Sequence, residues 1–288
     1  MPAETVLSSS FRAPSGLELV VHDWGGDGPP VLLAHPTGFH GRVWAPVAQR
    51  LVARGRRVWS FDFRGHGDSD PAPGGDYRWS GFADDALAVA DHLGLSGDPA
   101  LLAAGHSKGG ASLLLGAIAR PGTYARIWAF EPIVFPTEVP IELADDNPMS
   151  AGARRRRATW DSRDQAYESY ASRAPLDVFT PESLRAYVDY GFRDLPDGTV
   201  TLKCLPEHEA RMYAMGASNG LFARLGEVTA PALIACGEQT DAINPELARR
   251  VAERIPVAQL QVWPGRGHFG PQEDPDAAVE SMLRFAED

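Results

Sequence analysis

Residues 105–109 read Gly105-His106-Ser107-Lys108-Gly109, a serine held between two glycines where an apolar run, residues 100–105, gives way to a helix opening at Lys108. A strand-to-helix turn of the form G-x-S-x-G presents the serine hydroxyl as a nucleophile. The glycines answer to crowding, because the serine takes a strained backbone conformation and side chains two residues to either side would strike the adjacent strand and helix. Gly110 adds further room. With 29 glycines such a pentapeptide also arises by chance, so the strand before it and the helix after it carry the argument. A serine hydroxyl is a weak nucleophile at neutral pH. It needs a histidine to take its proton and a carboxylate to orient the imidazole and stabilise its charged form.

With LLAHPTGF after the third strand run, FDFRGHGDS after the fourth, GHSKGG after the fifth and GRGH near the C-terminus, the chain resembles the α/β-hydrolase superfamily. The likeness is to its serine-nucleophile, esterase-like branch with an inserted lid, and it covers nearly everything outside the lid. It implies the chain order serine, acid, histidine. His268 stands where the family places its base, after the last strand and before the last helix. His35 and His66 match loop positions of the family, His106 fills the elbow, and His22, His40, His92 and His208 lack such a context. For the acid, Asp241, in the loop after the strand that follows the lid, is favoured. Glu131, after the preceding strand, is the alternative, and its plainer role is a buried carboxylate that supports loop amides. The oxyanion donors implied are the backbone N–H groups of Lys108 and Thr37. Pro36 replaces the family's glycine in the His-Gly pair and has no N–H to give. Serine at the nucleophile position argues against the dehalogenases and epoxide hydrolases, which use Asp there. The turn 62–69 reads as structural support beside the elbow.

Positioning these groups takes a layered scaffold. Short apolar runs at 30–35, 57–62, 100–105, 126–130, 232–236 and 258–263 alternate with amphipathic runs at 44–54, 79–93, 108–119, 245–254 and 274–286, the signature of parallel strands and crossover helices. Residues 8–13 and 17–22 flank Pro14-Ser15-Gly16 as an antiparallel hairpin. The expected fold is α/β, an eight-stranded, mostly parallel sheet flanked by helices, with residues 1–136 and 226–288 as core and 137–225 as an inserted helical lid. The arginine run 154–157 reads as a solvated helix face. Phe39, Trp44 and Phe269 are expected to line the substrate pocket, with Phe135, Trp160, Tyr167 and Tyr170 as further lining under the lid; aromatic residues at helical spacing are more often core.

The 288 residues, 44% hydrophobic and 23% charged, suffice for one large soluble domain. A net charge of −11 disfavours a nucleic-acid or anionic membrane partner, because most of the surface would repel either. A small-molecule substrate is expected, with self-association left open. Two cysteines, Cys204 and Cys236, give neither a disulfide framework nor a zinc cluster. No secretory leader is visible, and no apolar run approaches the ~20 residues of a membrane span, so a cytoplasmic setting is expected. The expected activity is ester hydrolysis of a small, largely apolar substrate through an acyl-enzyme, without metal or organic cofactor. Carbon–carbon bond hydrolysis, lactone opening and thioester cleavage use the same triad, and a small-ligand receptor with a slow triad is the reading from another class.

Overall fold

In a computed structural model, residues 6–136, 147–216 and 219–287 are described. The strands in chain order are β1 (Leu7–Arg12), β2 (Glu18–Gly25), β3 (Pro30–Ala34), β4 (Arg57–Asp62), β5 (Leu102–His106), β6 (Arg126–Phe130), β7 (Thr159–Trp160), β8 (Phe192–Asp194), β9 (Val200–Leu202), β10 (Ala232–Gly237) and β11 (Ala258–Trp263). Eight of them form one sheet in the order β1-β2-β4-β3-β5-β6-β10-β11. The β1–β2 and β2–β4 pairs are antiparallel and the others parallel. β3 (PVLLA) and β5 (LAAGH) are buried along their whole length, as central strands covered on both faces must be. β1, at the edge, alternates nothing and is largely exposed.

Two hydrophobic clusters lie on opposite faces of the sheet, since alternate residues of one strand belong to different clusters. Leu32, Ala103, Ile127 and Ile234 sit in one, Val31, Leu102, Trp128 and Leu233 in the other. The helices follow the same division: α1 (Ala45–Ala53), α2 (Trp79–His92), α3 (Lys108–Ala119), α4 (Pro148–Arg154), α5 (Arg163–Ala171), α6 (Pro181–Gly191), α7 (Pro206–Met215), α8 (Leu221–Arg224), α9 (Pro245–Ala252), α10 (Gly270–Glu273) and α11 (Pro275–Glu287). α2, α3 and α9 cover the first face, α1 and α11 the second. Proline opens several of them, where its missing N–H costs nothing, and Asn244 and Thr180 cap α9 and α6 by accepting from Leu247 and Ser183 N–H.

The region between β6 and β10 was expected to be a helical lid. Among the described residues it carries α4 to α8 and also a three-stranded antiparallel sheet, β7-β9-β8. Strands of two and three residues are too short to show a period in sequence. Residues 137–146, at its start, lie outside the described residues. Among the described residues no helix is long and apolar enough to cross a membrane.

Candidate active site

Ser107 leaves the end of β5 with φ 55° and ψ −117° and caps α3. Together with Glu131, at φ 44°, it is one of the two non-glycine residues with positive φ among the described residues. Strain of this kind costs about 1–3 kcal/mol and concentrates at functional sites. The two are neighbours by construction. His106 pairs with Phe130 at the last step of the β5–β6 register, so Ser107 and Glu131 are the next residues of adjacent strands. Ser107 N–H donates to Phe130 O at 2.8 Å, and Glu131 N–H to Ala235 O at 2.8 Å. Close packing keeps the elbow in place: a Cβ on Gly105 would lie 2.5 Å from Gly110 N.

His268 stands in the loop between β11 and α10, and its Nδ1 lies 2.6 Å from Glu131 Oε2. With the Nδ1 proton given to the carboxylate, Nε2 carries the ring's lone pair and is the nitrogen able to take a proton. Glu131 is fully buried and accepts also from Thr240 Oγ1 (2.8 Å), Gly237 N–H (3.0 Å) and Ile243 N–H (3.4 Å). These donors and His268 Nδ1 satisfy both carboxylate oxygens, with no lysine or arginine partner among the described residues. The favoured acid, Asp241, is not the partner of His268: it is exposed, and its loop supplies the donors that hold Glu131. Glu131 thus combines the two roles that were set against each other, supporting loop amides and orienting the histidine.

His106, immediately before the nucleophile, donates from Nε2 to His268 O at 2.8 Å, and the two rings are 4.9 Å apart. Burial, and next the charge of His268, push its ionisation well below the usual histidine range, so it is a neutral strut under the loop of the base. In the turn after β4, His66 donates from Nδ1 to Arg64 O (2.9 Å) and accepts at Nε2 from Gly38 N–H (3.2 Å), which anchors the segment holding Thr37. His35 likewise accepts from Phe63 N–H at 3.1 Å. Burial, then the neighbouring Lys108, lower the ionisation of both His35 and His66 well below the ordinary value. Thr37 remains partly accessible, whereas Gly38 N–H is already spent on His66. Lys108 N–H, at the first turn of α3, belongs to the orphan donors of a helix start.

The profile of the Alpha/beta hydrolase family matches residues 31–281. The chain belongs to the α/β-hydrolase family. Among its relatives, the non-heme chloroperoxidase CPO-A1 of Kitasatospora aureofaciens is 28% identical over 88% of this chain and 89% of that protein. A putative carbamate hydrolase RutD of Caulobacter vibrioides is 26% identical over 89% and 90%. In structure, an E-2-(acetamidomethylene)succinate hydrolase superposes with a TM-score of 0.82, covering 99% of this chain and 100% of that one at 21% identity, which establishes the likeness of fold.

In this α/β-hydrolase the residues expected to line a pocket do not all come together. Phe39 and Phe269 come together with Phe179, at ring distances of 5.2 to 6.1 Å, and Phe269 stacks edgewise on His268 at 5.2 Å. Trp44 does not join them, because it is fully buried among the residues between the sheet and α1, with no surface for a ligand. Phe135 lines a separate cleft with Phe222, Arg250 and Arg254. Trp160 packs on Tyr170 at 5.5 Å, and Tyr167 faces Arg185. The arginine run 154–157 is not uniformly solvated either. Arg156, two residues past the end of α4, turns inward to Glu209 and to Tyr187 Oη at 2.6 Å. Nothing in a run of four identical residues marks which one turns, since its partners lie 31 and 53 positions away.

Proposed function

We propose that this α/β-hydrolase is a serine hydrolase that cleaves an ester-type acyl bond of a small substrate through Ser107, His268 and Glu131. Ser107 Oγ attacks the carbonyl carbon as His268 Nε2 takes its proton. The tetrahedral oxyanion is received by the backbone N–H groups of Lys108 and Thr37. His268 then protonates the leaving alcohol, and water, activated by the same nitrogen, releases the acid from the acyl-enzyme. Glu131 fixes the Nδ1–H tautomer and supports the imidazolium. Phe39, Phe179 and Phe269 offer an apolar wall to the acyl or alcohol part.

The 2.6 Å bond from His268 to a buried carboxylate, one strand position from a strained serine, supports this reading most directly. A fluorophosphonate probe and short- and long-chain aryl esters test it, with Ser107→Ala as control. Labelling and turnover that depend on Ser107 are expected; label on the alanine variant, or none on the native chain, overturns it. For the acid, Glu131→Gln is expected to lower kcat by about 10⁴-fold and Asp241→Asn to change it less than about threefold. The reverse order would return the role to Asp241.

A further inference from the structure

The cap lays a charged pair on the oxyanion loop. A Cβ on Gly38, the residue after Thr37, would fall 2.5 Å from Glu209 Oε1 and 3.4 Å from Arg156 Nη1. Arg156 donates to Glu209 Oε2 and to Tyr187 Oη, and Tyr187 is 4.9 Å from Phe39 and 5.8 Å from Tyr170, ring to ring. A continuous run of side-chain contacts therefore leads from His268 through Phe269, Phe39 and the buried Tyr187 to Arg156. Glu209 is 6% exposed at its side chain, whereas Arg156 keeps 23%.

A buried ion pair contributes little net stability, because desolvation of both charges offsets their attraction, and an apolar pair would hold cap to core as well. What an Arg–Glu pair supplies that an apolar pair does not is a donor and an acceptor side by side. A guanidinium has five N–H donors, and Glu209, Tyr187 and Tyr170 take up only part of them. The two charges cancel, and a further anion would meet the Glu209 carboxylate in a chain of net charge −11. A neutral amide fits both members, its carbonyl accepting from Arg156 and its N–H donating to Glu209.

Resting on the serine-hydrolase reading above, we infer that the Arg156–Glu209 pair is the specificity-determining site for a carboxamide group carried by the substrate's acyl part, close to the carbonyl that Ser107 attacks. Aryl esters of an N-acetylated amino acid, of an alkanoic acid of equal length and of a dicarboxylic half-acid of equal length separate the cases on the native chain. The amide ester is expected to exceed the alkyl ester at least tenfold in kcat/KM, with most of the gain in KM. Arg156→Met is expected to reduce that ratio at least tenfold, and Arg156→Lys, which keeps the charge and loses the planar fork, to reduce it in part. The exposed neighbour Arg155→Met keeps it.

An amide-to-alkyl ratio near one on a native chain that labels at Ser107 overturns the inference and leaves the hydrolase reading standing. So does a preference for the half-acid ester. Equal loss on both esters in Arg156→Met together with a lower melting temperature makes the pair a clamp between cap and core and overturns it too. A native chain that fails to label at Ser107 sinks both.

Discussion

Lys108 follows the nucleophile directly, is 1% exposed and forms no ion pair among the described residues. Its Nζ lies 3.2 Å from His66 Nε2 and 3.4 Å from Nδ1, and 4.2 and 4.5 Å from the ring centroids of Phe63 and Phe82. Two aromatic faces return about 1–2 kcal/mol each to a cation, less than the several kcal/mol lost by burying it without a carboxylate. Burial accordingly pushes the lysine well below its ordinary value of 10.5. The unfolded chain then holds this proton up to a higher pH than the folded one, so stability rises with pH between the folded and the unfolded value. Lys108→Met is expected to stabilise the protein by about 1 kcal/mol or more at pH 7, with the advantage shrinking as pH approaches 10.5; urea melts of both chains across pH 7–10.5 measure it. The places of Ser107 at the turn from β5 to α3 and of His268 after β11 were legible because the glycines and flanking elements of each short segment mark them. The choice between Asp241 and Glu131 was not, since both follow apolar strands and only the order of β5, β6 and β10 in space decides which carboxylate meets the histidine.

At the scale of elements, six strands of the main sheet were readable as apolar runs, and the hairpin of β1 and β2, read from its turn, pairs Arg12 with Glu18. The runs carry their information locally, because each central strand is buried on both faces and tolerates little polarity. The cap is different. Its segments rest on partners far along the chain, as Asn147 does on Tyr213 O, and its short strands leave no trace in composition. At the junction of β5 with α3 there is no room for a single added methyl group. Gly105→Ala would set a Cβ 2.5 Å from Gly110 N and 2.6 Å from Gly109 C, both backbone atoms, so the helix itself must move. A loss of about 1–3 kcal/mol in denaturant melts is expected, with reduced fluorophosphonate labelling in the fraction that folds. An unchanged melt and full labelling would show the elbow to be less tightly packed than these distances require.

At the scale of the molecule, Arg50 on α1 reaches both the cap and the C-terminal helix, donating to Glu182 Oε1 at 2.7 Å and to Asp276 Oδ1 at 2.8 Å. The three groups are partly solvated, so the pairs are worth about 1 kcal/mol together and weaken with salt. Arg50→Ala is expected to lower stability by that amount at low ionic strength, and the difference from the native chain should fade near 1 M salt. Apolar packing does most of the docking, with Tyr187 and Val188 of α6 in the same cluster as Trp44 and Val47. The position of Glu131 has a consequence for the whole design. Ser107 and Glu131 are consecutive to the last paired residues of two neighbouring strands, and both precede the region inserted between β6 and β10. Backbone hydrogen bonds of the sheet therefore set their separation, and the loop after β10 contributes supports in place of a charge. A cap of another length or architecture could be spliced between β6 and β10 without re-aiming the serine relative to its carboxylate. On the proposed mechanism, substrate range and the proton relay are therefore written in separate stretches of the polypeptide.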